Sequence, residues 1–160
     1  EVLCTEWITS QELVRTEKLS RLLDGYYNGS AWHALFARLV LADSAFLERF
    51  LSWMIGKQAL DGPLSLEKRG LLLFEYCREH CPEMLDDLAV LWVKNGLSLK
   101  REVTAGIEPW SRPLPENVRT EAGAYRSGMR LYRLPLSGGE YWFGFDRGIS
   151  HSSPLFIGKS

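Results

Sequence analysis

A broad apolar face runs along residues 44–55, and we expect the helix that carries it to lie at the centre of the fold. Its apolar side chains recur at the three- and four-residue spacing of one helical face: Phe46, Leu47, Phe50, Leu51, Met54 and Ile55. Trp53 widens this face, and Ser44 is placed to cap the helix. Because a helix that is apolar over so much of its circumference must be surrounded by other elements, the pattern predicts a helical domain packed around this segment.

Four further helices are predicted from the same periodicity and from capping residues. Thr9 and Glu12 form a capping-box pattern in front of the first helix. Ser30 precedes the second helix, and Ser65 precedes the fourth. Pro82 suits the first turn of the fifth helix, because proline lacks the N–H group that has no intrahelical partner there.

The character of the sequence changes after Asn95-Gly96, a pair that is typical of a helix end. Residues 97–128 are rich in Pro, Gly and Arg and lack periodicity, so we expect a mostly extended connection. Residues 129–136 and 141–147 are predicted to be two strands, and Ser137-Gly138-Gly139 between them is typical of a hairpin turn.

The second predicted strand has one strongly aromatic face. Tyr141, Phe143 and Phe145 alternate along it and therefore share a side of the strand. A lone hairpin is only marginally stable in water. We therefore expect this aromatic face to pack on the helical bundle.

The predicted fold is mainly α, with a bundle of about five helices, a short extended arm at residues 1–8 and a C-terminal β-hairpin. At 160 residues the chain suits a single domain. Within it, residues 1–96 form the helical bundle, residues 97–128 form the connection, and residues 129–160 form the hairpin and an irregular tail.

Composition and charge exclude several classes of function. The chain is 46% hydrophobic and 24% charged, which is ordinary for a soluble globular protein. Its net charge of −1 argues against a dedicated nucleic-acid or anionic-membrane binder. No apolar run approaches the length of a membrane span, and no signal peptide is evident. The three cysteines, an odd number, favour reduced thiols and a cytoplasmic location.

One group of side chains has metal-ligand spacing. Cys77, His80 and Cys81 share a face of the fourth helix, so two thiols and an imidazole can converge on a soft metal. Structural zinc needs four such ligands. The candidates for the fourth are Cys4, His33 and His151. The alternative, which we favour, is that Cys77 packs as a small apolar residue while His80 and Cys81 end a helix.

The second half of the chain carries a run of arginines with aromatic residues between them. Its arginines are Arg112, Arg119, Arg126, Arg130 and Arg133, and its aromatic residues are Trp110, Tyr125 and Tyr132. Such a run can form a groove for single-stranded nucleic acid. It can equally form a surface for a protein partner, since arginine and aromatic residues are enriched at interfaces. The net charge favours the protein partner.

Two stretches of the chain resemble a particular family. The opening carries Thr5-Glu-Trp-Ile-Thr-Ser, Glu12-Leu-Val-Arg, Lys18-Leu and Tyr26-Tyr27-Asn28, and the late strand carries Tyr141-Trp-Phe-Gly-Phe-Asp146. These resemble the C-terminal domain of unknown function that follows the catalytic barrel in some cobalamin-binding radical SAM proteins. Those proteins include Fe–S oxidoreductases and relatives of the anaerobic Mg-protoporphyrin IX monomethyl ester cyclase.

The resemblance implies that the parent protein uses S-adenosylmethionine, a [4Fe-4S] cluster and cobalamin. The family binds its cluster through a Cys-x-x-x-Cys-x-x-Cys motif in the barrel. Cys77 and Cys81 match the first spacing, but Met84 stands where the third cysteine would be. No catalytic or cofactor-binding residue therefore carries over to this chain.

The expected role is that of a non-catalytic accessory domain whose partners are upstream domains of the same polypeptide. There it would cap the barrel or contribute to substrate or partner binding. The chain begins with Glu1 and not with Met, which agrees with the expectation that it is part of a longer protein. The alternative is a free-standing helical domain that binds another protein through its arginine- and aromatic-rich second half.

Overall fold

The computed structural model describes residues 9–29, 31–147 and 152–160. It divides the chain into two compact units, Glu1–Tyr76 and Cys77–Ser160, and each is described by itself. The predicted arm at residues 1–8 and the predicted cap Ser30 lie outside the described residues. The prediction of a single domain stays a prediction.

The described residues contain five α-helices, as the sequence pattern predicts. They are Ser10–Tyr26 (α1), His33–Ala42 (α2), Phe46–Gly56 (α3), Leu66–His80 (α4) and Leu85–Lys94 (α5). Short 3₁₀ turns lie at Pro82–Met84 and Glu102–Thr104. Every described helix is too short or too polar to cross a lipid bilayer.

Aromatic side chains form the core of the Glu1–Tyr76 unit, with α3 at its centre. Phe46 and Phe50 of α3 are buried and stack with ring centroids 5.5 Å apart. Phe50 also meets Tyr26 of α1 at 5.3 Å and Tyr76 of α4 at 4.9 Å, in both cases edge to face. Ring pairs in these geometries add to the stabilisation that burial provides. The prediction that the helix at residues 44–55 lies at the centre of helical packing is confirmed for this unit.

Side-chain caps decide where two of the helices begin. The predicted capping box is present at α1, because Thr9 Oγ1 accepts the N–H of Glu12 at 3.2 Å and the Glu12 carboxylate accepts the N–H of Thr9 at 2.7 Å. Ser65 Oγ likewise accepts the N–H of Lys68 at 3.1 Å in front of α4. Both predicted caps are confirmed.

The predicted cap of α3 is wrong. Ala45 occupies the N-cap position and its side chain makes no capping bond. Ser44 lies one residue before the N-cap position. The carboxylate of Asp43 accepts the N–H of Ala45 at 2.9 Å, which is a turn contact in front of the helix.

In the Cys77–Ser160 unit, α5 packs on a β-sheet. The described strands are Glu108–Trp110 (β1), Arg119–Ala122 (β2), Arg130–Leu136 (β3), Gly139–Phe145 (β4) and Phe156–Lys159 (β5). They form one antiparallel sheet in the order β1-β3-β4-β5-β2. The prediction of a mainly α fold with a hairpin is therefore only partly right. The predicted hairpin is present as β3 and β4, but it is the middle of a five-stranded sheet.

Two further predictions for this unit are corrected by the sheet. The predicted connection at residues 97–128 supplies both edge strands, β1 and β2. The tail predicted to be irregular supplies β5, which pairs with β4 on one side and with β2 on the other. These strands are three or four residues long, too short for the alternation of apolar and polar residues to reveal them.

The two faces of the sheet are covered differently. On one face, Phe143 and Phe145 pack against Ala89, Val90 and Val93 of α5. The sequence predicted packing of this face on the helical bundle, and the structure shows it packed on one of the predicted helices, α5. On the other face the buried residues are Leu131, Trp142 and Phe156, and the half-buried residues packed against them are Trp110, Leu114, Val118 and Met129. The second face is therefore covered mainly by residues 110–118, and this covering positions the surface described next.

The predicted end of α5 is confirmed at Asn95-Gly96. Gly96 has φ +68°, and its N–H bonds to the carbonyl of Val93 while the N–H of Leu97 bonds to that of Trp92. This pair of bonds is the Schellman motif, which favours glycine at this position.

Candidate interaction surface

The structure places Cys77 as a packed apolar side chain. Its relative exposure is 0%, and burial together with the neighbouring Cys81 raises the pKa of the Cys77 thiol well above its usual range. The imidazole of His80 is 47% exposed and lies 3.7 Å from the carboxylate of Glu79.

The predicted fourth ligands do not complete a metal site in the described part of the chain. His33 Nδ1 lies 2.5 Å from the carbonyl oxygen of Tyr27. Cys4 and His151 lie outside the described residues. Within residues 9–29, 31–147 and 152–160, no three His, Cys, Asp or Glu side chains gather as a metal site would require.

Two of the predicted arginines lie beside the ring of Trp110 at one edge of the sheet. The guanidinium carbon of Arg112 lies 5.6 Å from the ring centroid, and that of Arg133 lies 5.5 Å away. The ring also meets the buried Trp142 edge to face at 6.0 Å, and its Nε1 donates to the carbonyl of Pro113 at 3.3 Å. These contacts hold the indole in one orientation, with cations beside it.

Arg133 is held by two carboxylates. Its guanidinium donates to Glu108 Oε1 at 2.7 Å and to Glu140 Oε1. These bonds raise the pKa of Arg133. The positive charge of Arg133 is thus matched locally, and the side chain serves to hold the Trp110 ring.

Arg112 differs from Arg133 in its partners. It is exposed and forms no ion pair with any residue the structure describes. A small polar cleft of about 230 Å³ opens beside it, lined by Glu108, Pro109, Trp110, Ser111, Arg112 and Arg133. We call the surface formed by Glu108, Trp110, Arg112 and Arg133 the Trp110 surface.

The other predicted arginines lie elsewhere. Arg130 is three residues from Arg133 on β3, so its side chain starts from the opposite face of the strand, and it donates to the carbonyl of Asp146 at 3.2 Å. Arg119 lies on β2, at the other edge of the sheet from Trp110, and Arg126 lies in the segment between β2 and β3. The structure therefore does not bring the predicted run together on one surface.

Sequence reasoning missed the two glutamates that hold Arg133. Glu108 is directly opposite Arg133 in the β1–β3 register, and Glu140 is diagonal to it across the β3–β4 hairpin. The diagonal contact follows from the hairpin register once the turn is placed at residues 137 and 138. The Glu108 contact had no signal in the sequence, because β1 was not predicted.

Comparisons of the chain with protein-family models, with curated proteins and with solved structures gave no match. The resemblance to the radical SAM C-terminal domain stays a prediction.

Proposed function

We propose that this chain is a non-catalytic accessory C-terminal domain of a radical SAM, cobalamin-binding-type Fe–S oxidoreductase. In this role it caps the catalytic barrel or contributes to binding of the substrate or a partner. The upstream domains of the same polypeptide then hold the S-adenosylmethionine, the [4Fe-4S] cluster and the cobalamin. The opening segment and the aromatic strand at residues 141–146 support the family assignment by resemblance.

The single observation that carries a docking role is the Trp110 surface. Tryptophan and arginine supply most of the residues that dominate interface energies. Arg112 rests beside the Trp110 ring and forms no ion pair within the described chain, so its donors remain available to a partner's carboxylates or carbonyls. Because the ring is already held by Arg133 and Trp142, little side-chain freedom is lost when a partner binds.

The strand beneath this surface favours side-chain docking over strand addition. The edge strand β1 has three residues, and its central residue is Pro109. Proline has no N–H to offer to an added strand. We therefore assign recognition to the side chains of Trp110 and Arg112.

Hydrogen–deuterium exchange on the full-length parent protein and on the 160-residue chain tests this role. We expect residues 108–114 to exchange more slowly in the parent than in the isolated chain, because the upstream domains cover them. Arg112→Ala in the parent is expected to remove this protection. The matched control is Arg119→Ala, on β2 at the other edge of the sheet, which should leave the protection in place. Equal exchange of residues 108–114 in both proteins would contradict docking through the Trp110 surface.

The alternative function is a free-standing helical protein–protein interaction domain. The same pair, half-buried Trp110 and exposed Arg112, favours it. The coding sequence upstream of the Glu1 codon distinguishes the two functions. An in-frame barrel with a Cys-x-x-x-Cys-x-x-Cys motif supports the accessory domain, and a native start codon beside Val2 supports the free-standing domain.

A further inference from the structure

A pocket of about 390 Å³ opens in the Glu1–Tyr76 unit, beside the end of α1. Its walls come from α1, from the segment between α3 and α4, and from the first turn of α4. The lining residues are Arg21, Asp24, Gly25, Tyr26, Leu60, Gly62, Pro63, Leu64 and Arg69. This volume is in the range of pockets that hold small organic molecules.

Arg69 provides a partly buried cation in this pocket. Its side chain lies across Gly25, where an added Cβ would be 3.2 Å from the guanidine Nε. Because Gly25 has no side chain, the guanidinium of Arg69 has room to lie across it. The hydroxyl of Tyr26 donates to the carbonyl of Arg69 at 2.9 Å and fixes the backbone from which the arginine extends.

The contacts of Arg69 leave most of its donors unused. Its one described hydrogen bond runs from Nη1 to the carbonyl of Gly25 and is long, at 3.5 Å. No carboxylate in the described residues forms an ion pair with it. If Arg69 served only to place a positive charge at the C-terminal end of α1, it would use one of the five N–H groups of its guanidinium. Most of the N–H groups of Arg69 therefore have no protein partner in the described residues and can donate to an added anion.

Arg21 of α1 places a second guanidinium at the pocket, 48 residues away in the sequence, and its charge is matched by an ion pair with Glu17. Its Nη1 donates to the carbonyl of Leu60 at 3.1 Å, and its Nη2 contacts Glu17 at 2.7 Å. These bonds keep its side chain beside the pocket, where it faces the same space as Arg69. The rest of the wall includes the apolar side chains of Leu60, Pro63 and Leu64.

We propose that this pocket binds a small carboxylate-bearing molecule. The carboxylate contacts Arg69, because the planar fork of a guanidinium matches the two oxygens of a carboxylate. The apolar part of the molecule lies against Leu60, Pro63 and Leu64. The volume is many times the roughly 30 Å³ that one water molecule occupies, so a lone inorganic ion leaves most of the pocket unfilled. This proposal rests on the pocket alone and does not depend on the proposed function.

Calorimetric titration of the 160-residue chain with sodium hexanoate tests the proposal, with hexanol as the uncharged probe and inorganic phosphate as the competing anion. We expect saturable binding of hexanoate, with hexanol and phosphate each bound at least about tenfold more weakly. Arg69→Met is expected to weaken hexanoate binding about tenfold or more, and Arg69→Lys should recover only part of it because lysine lacks the fork. Arg49→Met, on α3 and outside the pocket lining, is the matched control and should bind like the wild type.

A second measurement covers the case in which Arg69→Met fails to fold. In ¹⁵N-labelled wild-type protein, hexanoate should shift the amide signals of Gly25 and Gly62, which line the pocket. Three results would overturn the proposal: no saturable binding of hexanoate up to about 10 mM, hexanol or phosphate bound as tightly as hexanoate, or amide shifts that leave Gly25 and Gly62 unmoved.

Discussion

The chain leaves α3 through Gln58, which has a strained left-handed backbone conformation. Gln58 has φ +54°, the one positive value at a residue other than glycine in the described chain. It occupies the position of a Schellman motif, in which its N–H bonds to the carbonyl of Ile55 and the N–H of Ala59 bonds to that of Met54. A side chain in this conformation costs roughly 1–2 kcal/mol, which glycine avoids.

We expect Gln58→Gly to raise the free energy of unfolding by about 0.5–1 kcal/mol. The gain is smaller than the strain because glycine also adds entropy to the unfolded chain. Urea denaturation followed by circular dichroism measures it. Gln58→Ala is the control, since it removes the side chain beyond Cβ but keeps the strain, and it should give no such gain. A loss of stability in Gln58→Gly would count against the assigned conformation.

Because the thiol of Cys77 is buried, we expect the free energy of unfolding to change with pH in the alkaline range. Burial raises the pKa of Cys77, so the folded protein keeps the thiol proton at pH values where the unfolded chain has lost it. Above about pH 8.5 the unfolded state therefore binds fewer protons than the folded one. The contribution of the Cys77 thiol to the free energy of unfolding is complete below that pH and is lost as the pH rises above it.

Cys77→Ala isolates this effect. We expect the variant to be less stable near neutral pH, because it leaves a small cavity. The stability gap to the wild type should narrow between about pH 7.5 and 9.5, at a slope of up to about 1.4 kcal/mol per pH unit. Val93→Ala, also fully buried but not titratable, is the control and should keep a constant gap. A constant gap for Cys77→Ala as well would show that the thiol titrates alike in both states.

At the scale of elements, the sequence predicted the helices well and the sheet poorly. Each predicted helix was identified by several turns of periodicity, and two of them also by a cap at Thr9 or Ser65 that the structure confirms. The strands β1 and β5 contain Pro109 and Gly158, residues that are depleted in strands. The bulge in β2 between Thr120 and Ala122 breaks what alternation that strand has.

The same contrast holds for the candidate sites. The run of residues from Trp110 to Arg133 was visible in the sequence, but its division between two edges of the sheet depends on strand order. Arg21 and Arg69 were not singled out at all. They come together only because α1 and α4 are neighbours at that pocket, and nothing in the local pattern of either helix carries that information.

Gly123 controls the approach of the strand β2 to the segment that enters β5. Its φ is +73°, and an added Cβ would lie 1.8 Å from the carbonyl oxygen of Leu155. The N–H of Leu155 in turn bonds to the carbonyl of Gly144 on β4 at 2.8 Å. A side chain at Gly123 must therefore displace backbone that is tied to the middle of the sheet.

We expect Gly123→Ala to destabilise the protein by about 3 kcal/mol or more, from backbone strain and steric overlap together. Gly128→Ala is the matched control: Gly128 has φ +96°, but nothing lies within 4 Å of an added Cβ. It should show the strain alone, about 1–2 kcal/mol. Urea denaturation of both variants measures the difference. Equal losses would mean that Gly123 and Leu155 are further apart than the structure places them.

At the scale of the whole molecule, the charge asymmetry along the chain is smaller when charges are counted over the compact units. Residues 97–160 carry 9 basic and 6 acidic side chains, a net charge of +3. The compact unit Cys77–Ser160 also contains the acidic residues at the start of α5, and it carries 11 basic and 10 acidic side chains, a net charge of +1. No strongly basic unit results.

This balance predicts that the chain does not bind nucleic acid. A groove for single strands needs a continuous positive path beside stacking aromatic residues. Here Arg133 is matched by Glu108 and Glu140, and Arg119 lies at the other edge of the sheet from Trp110. Fluorescence anisotropy with a labelled single-stranded oligonucleotide should therefore show no saturable binding at protein concentrations below about 10 μM and near-physiological salt. Any weak binding at low salt should disappear as salt is added. Saturable binding that is abolished by Trp110→Ala or Arg112→Ala would contradict this prediction and would assign the Trp110 surface to nucleic acid. Removal of an aromatic side chain that stacks on a base costs about 1–3 kcal/mol of binding free energy, so such a loss would be measurable.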